Sequence, residues 1–165
     1  MTVNSGKLKI PLLEAAKYLL ILVLAGFIFL QLSTNRESTA DFSSVQEAVL
    51  AAADTETMVE SDNMMLKRLY GLDAGDYDAV MLFTPTTNMG AEELLLVKLR
   101  DLSQQETVVT AMETRIETQI GVFEGYGVEQ TAMLEKAVLE VQGNYILLVV
   151  AADPSPVKQA FLGAL

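Results

Sequence analysis

Tyr145-Ile-Leu-Leu-Val-Val150 is apolar at every position, and it follows Gly143-Asn144, a residue pair suited to a two-residue hairpin turn. The segment Val138–Val141 before that turn supplies a partner strand. A strand apolar on both faces belongs in the interior of a sheet, so Tyr145–Ala151 is expected to be the central strand. Working outward, Ala79-Val-Met-Leu-Phe83 and Glu93-Leu-Leu-Leu-Val-Lys-Leu99 read as a second, wider hairpin across a Pro85–Gly90 loop. Leu95, Val97 and Leu99 share one face, while Leu94 and Leu96 give way to Lys98 and Arg100 on the other. That alternation predicts a sheet covered on one side and partly wet on the other.

Helical periodicity fills the remainder. Ser43 with Gln46 has the spacing of a capping box, and Val45, Ala48, Val49 and Ala52 repeat at helical intervals, predicting a helix over about 44–53. Met64, Met65, Leu66 and Leu69 continue such a pattern from Ser61 until Gly71, a residue suited to the left-handed position after a helix. Leu72–Asp78 is dense in turn formers. Ser103 with Glu106 suggests a second capping box, ahead of a stripe of Val108, Met112, Ile116, Ile120 and Phe123. The glycine-rich joint Phe123-Glu-Gly-Tyr-Gly127 breaks that helix, and shorter helices follow over about 128–136 and 155–162.

Leu95-Leu-Val with Asp101-Leu-Ser103 aligns with Leu147-Leu-Val with Asp153-Pro-Ser155. The echo describes a hairpin-helix unit used twice. The predicted class is therefore α+β, with a four-stranded, mainly antiparallel sheet and helices packed on one face.

Ahead of this domain lies Tyr18-Leu-Leu-Ile-Leu-Val-Leu-Ala-Gly-Phe-Ile-Phe-Leu30. Extended from Ile10 to Leu32, the segment is long enough as a helix to cross a hydrocarbon core of about 30 Å. Lys7, Lys9 and Lys17 precede the uncharged core Tyr18–Leu30 and only Arg36 follows closely, which places the short N-terminus in the cytoplasm and the domain outside. The expected organisation is a cytoplasmic stub and transmembrane anchor over 1–33, a linker over 34–42 and an extracytoplasmic domain over 43–165. Ser38-Thr39-Ala40 could serve as a signal-peptide cleavage site, but the polar spacer before it favours an uncleaved anchor.

Composition narrows the chemistry. The chain has no His, Cys or Trp, which removes an imidazole base, thiolate metal ligands and disulfides. From Asp41 onward there are 20 Asp and Glu against 7 Lys and Arg, a net charge of −13. Such a domain repels phosphate backbones, so nucleic acid is excluded as a partner. Asp73, Asp76 and Asp78 lack the spacing and closing Glu of a calcium loop and read as an exposed turn, so no metal and no cofactor are expected. Glu124, Glu129 and Glu135 near the joint could supply a carboxylate-only acid and base, against the commoner role of solvated surface charges.

Phe123-Glu-Gly-Tyr-Gly-Val-Glu-Gln130, together with Arg68-Leu-Tyr-Gly-Leu-Asp73 and Gly143-Asn-Tyr145, resembles the domain of unknown function 4358. The resemblance covers about residues 61–165, with Val128 standing where the pattern favours Pro. It implies an extracytoplasmic domain of a Gram-positive, clostridial-type bacterium, tethered by an N-terminal span or a lipid. It implies no activity. The functional reading of the chain is a non-enzymatic interaction domain of the cell envelope, with Glu124, Gly125, Tyr126, Gly127 and Glu129 as its candidate surface. The alternative is a carboxylate-based cell-wall enzyme or small-ligand receptor using Glu124 and Glu129. The expected partners are the membrane, through residues 10–32, and an envelope protein.

Overall fold

The computed structural model describes residues 17–26 and 37–165. Residues 17–26 are helical. Among the described residues no helix is long and apolar enough to cross a membrane. Most of the expected span, over residues 10–16 and 27–32, lies outside the described residues.

The domain runs α1 (Phe42–Ala52), β1 (Met58–Glu60), α2 (Asn63–Tyr70), β2 (Ala79–Pro85), β3 (Glu93–Lys98), α3 (Gln105–Phe123), α4 (Val128–Leu134), β4 (Val138–Gln142), β5 (Tyr145–Val150) and α5 (Ser155–Gly163). The class is α+β and the sheet is antiparallel throughout, but it has five strands in the order β1-β2-β3-β5-β4. The additional strand is β1, whose Met58, Val59 and Glu60 pair with Pro85, Thr84 and Phe83. Both hairpins form as expected. β5 is buried along its whole length, while β3, between β2 and β5, is the middle strand.

Helices cover both faces of the sheet, not one. On the first face Leu82, Leu95, Val97, Ile146 and Leu148 pack under α2, α3 and α4. On the second, Met81, Leu94, Leu96, Leu147 and Val149 pack under Val45 and Val49 of α1 and Val157 and Phe161 of α5. Full burial of each such side chain stabilises the fold by about 1.5–3 kcal/mol, which is why neither face can stay wet. Lys98, which suggested a solvated face, sits at the end of the sheet. Its ammonium pairs with Asp78 at 3.3 Å and lies 5.5 Å from the Tyr145 ring centre.

The internal echo is a shared junction, not a shared packing unit. Asp101 and Asp153 each accept the N–H of the Ser two residues on, at 2.8 and 3.0 Å. Yet Leu95 pairs across the sheet with Leu148, so the aligned residues Leu95 and Leu147 project to opposite faces. A one-residue offset of this kind turns every side chain over, and α3 and α5 follow onto opposite layers.

Two caps also differ from expectation. α1 starts at Phe42 after Asp41 with no side-chain cap, and the capping box before α3 is Asp101 with Gln104, on a 3₁₀ turn over Leu102–Gln104. In the turn after α2, the Asp73 carboxylate takes Lys67, Asn63 and the Gly75 N–H. The Lys67 hydrogen bond is the largest influence holding its carboxyl down to about 2. Because the folded value is depressed, this turn's contribution is present above the ordinary Asp value of 3.8 and is lost as pH falls through about 2. The stability difference between the native chain and Asp73→Asn should therefore shrink over that window in acid unfolding; a constant difference would contradict it.

Candidate functional site

The joint between α3 and α4 is a fixed turn. α3 is amphipathic to its last residue, Phe123, which is 1% exposed. Gly125 then adopts φ +91°, a conformation that side chains resist. The N–H groups of Tyr126 and Gly127 donate to the Phe123 carbonyl, at 3.2 and 2.8 Å. A Cβ on Gly127 would stand 2.7 Å from the Phe123 ring, so the backbone can lie on that ring only with glycine there.

Tyr126 is not a second core residue. Its ring tilts at 50° to that of Phe123, 5.8 Å between centres, and remains 59% exposed. Val128 is 81% exposed and Val122 49%. Glu124 and Glu129 are both exposed. Glu124 and Glu135 border a shallow hollow with Gly125, Val128, Thr131 and Ala132, and Glu129 does not line it. The structure therefore brings Glu124 near Glu135 and leaves the expected Glu124–Glu129 pair unjoined.

A second cluster escaped sequence reasoning. Glu93 is 2% exposed on the first face of the sheet, where the alternation of Leu95, Val97 and Leu99 would place it. Arg115 of α3 reaches it with Nε at 3.2 Å from both carboxylate oxygens and Nη2 at 2.8 Å from Oε2. The Tyr70 hydroxyl of α2 donates to Oε1. Burial, then the Glu93 charge, push the Tyr70 phenol well above its ordinary value of 10, so it stays a proton donor. The available signal was a carboxylate in phase with core positions; its partners lie 22 and 23 residues away.

Cavities flank this cluster. One of about 320 Å³ at the end of the sheet is lined by Glu93, Leu94, Met58 and Val149 with Asp54 and Asp153 at its edge. Another, of about 250 Å³, lies where Arg115 and Arg68 meet the β2–β3 connection. Among the described residues no group of three acidic side chains is placed to hold a metal ion.

The family model described as Domain of unknown function (DUF4358) matches residues 51–151, from the end of α1 to just past β5. The chain belongs to this family. The match takes in the joint, the buried cluster and both hairpins, so the DUF4358 core includes the whole sheet. No curated protein and no solved structure matches the chain.

Proposed function

We propose that this DUF4358 chain is a membrane-tethered domain of a Gram-positive cell envelope that acts by docking a partner protein through the joint, without catalysis. The observation that carries the reading is the exposure of Tyr126, Val122 and Val128 around one rigid turn. An aromatic ring held at fixed geometry makes an anchor at little entropic cost, and such residues dominate interface energies. Glu124 and Glu129 flank it along the chain and Glu135 borders the same hollow as Glu124, so the complementary partner offers an apolar socket bordered by basic groups. Carboxylate catalysis has less support, because two Glu residues acting as acid and base must converge on one enclosed site, and Glu124 and Glu129 do not.

Tethering rests on the apolar N-terminal segment and the basic residues before it. A reporter active only outside the cytoplasm, fused after Leu165, should give signal; signal from a cytoplasm-only reporter would sink the tethering. In cells lacking the chain, full-length Glu124→Gln and Glu129→Gln proteins should restore the native phenotype, whereas Tyr126→Ala should fold, reach the membrane and fail. Loss of function in a folded, membrane-located Glu124→Gln protein would overturn the docking reading in favour of carboxylate chemistry.

A further inference from the structure

Every residue lining the cleft between α2, the β2–β3 connection and α3 is either neutral or an arginine: Arg68, Arg115 and Gln119 stand with Thr84, Thr87 and Asn88 among them. No carboxylate lines it, in a domain where acidic residues outnumber basic ones 20 to 7. Three lysines elsewhere, Lys67, Lys98 and Lys158, are each paired to an acid. Arg68 makes no ion pair or side-chain hydrogen bond among the described residues. Met65, Arg68 and Leu69 follow helical spacing, so one face of α2 carries this guanidinium to the cleft wall.

Arg115 is the better-built half. Glu93 holds its Nε and Nη2, which fixes the plane of the guanidinium. Its Nη1 bonds no atom of the described residues, yet no fully buried side-chain nitrogen among them lacks a partner. Nη1 therefore keeps some contact with solvent, and the cleft is the space Arg115 lines. The side chain as a whole is only 12% exposed, so this donor is presented from a desolvated, oriented group. A buried ion pair adds little net stability over apolar residues of the same volume, so Glu93 and Tyr70 have more to offer as positioning residues for Arg115 than as a source of stability.

We propose that this cleft binds a small organic anion through a carboxylate or phosphate group held between Arg68 and the free Nη1 of Arg115. Guanidinium groups match the planar, multiply accepting geometry of both oxyanions. Thr84, Thr87, Asn88 and Gln119 supply neutral hydrogen-bonding groups around the remainder of the ligand. A volume of about 250 Å³, just below the usual range for drug-sized ligands, suits a small metabolite. The site is independent of docking at the joint and stands whether or not that reading holds.

The test is a titration of the full-length chain, in detergent micelles, with inorganic phosphate and separately with succinate, following the Arg68 and Arg115 Nε–H signals by NMR. Saturable shifts of both signals with either probe are expected, and the probe that saturates at lower concentration names the oxyanion. Arg68→Gln, an exposed change that leaves Glu93 and Arg115 intact, should weaken that binding about tenfold or more, the loss of one charge-assisted contact. Shifts that stay linear with both probes, or affinities unchanged by Arg68→Gln, would overturn the proposal.

Discussion

Arg115→Leu should lower the free energy of unfolding by about 3–5 kcal/mol, the usual cost of removing one partner from a buried ion pair. The cause is the carboxylate left behind. Glu93 sits 2% exposed between β2 and β5, and after the substitution only the Tyr70 hydroxyl still donates to it. A charge so placed has little contact with water and no counter-ion, so most of its desolvation counts against the folded state. Replacing all three groups together, as Tyr70→Phe, Glu93→Leu and Arg115→Leu, should recover most of the loss, because an apolar cluster of similar volume carries no such penalty. Urea unfolding of the single and triple variants measures both. A single variant within about 1 kcal/mol of the native chain would show that Glu93 is solvated and that Arg115 is not held in place by it.

Phe123→Ala should cost about 3–5 kcal/mol, because it empties a ring-sized space where α3 ends over the first face of the sheet. The ring also carries the joint. The Gly127 backbone lies against it and the Tyr126 ring leans on it, so the cavity would remove the floor that fixes the docking loop. Tyr126→Ala supplies the contrast. Its side chain is 59% exposed and loses mainly one aromatic contact, so its stability cost should stay near 1 kcal/mol. Thermal unfolding distinguishes the two. Equal destabilisation would mean that Tyr126 is a packing residue and would remove the argument for docking.

Both hairpins were legible because Tyr145–Val150 and Glu93–Leu99 are dense in apolar strand formers bounded by turn residues. The break at the joint was legible because two glycines follow an unbroken helical stripe. β1 was not, since three residues held by ladder bonds at a sheet edge leave no periodicity to read. The second helical layer was hidden by Lys98 and Arg100, whose charges sit where β3 ends and say nothing about Leu94 and Leu96 farther along. Tyr126 could be assigned to core or surface only once the φ of Gly125 set the direction of the turn. The buried ion pair was unreadable for a different reason. Arg115 lies between Met112 and Ile116 on a helix whose charged residues mostly face water, and only the fold brings it to Glu93.

If the joint is a docking surface, a photo-crosslinking residue in place of Tyr126 in the full-length chain in intact cells will capture the partner. A matched residue in place of Lys158, on α5 over the opposite face of the sheet, is the control. One discrete covalent adduct is expected from position 126, lost when Val128 beside it is changed to Asp, and none from position 158. No adduct from position 126, or the same adduct from both positions, would contradict it.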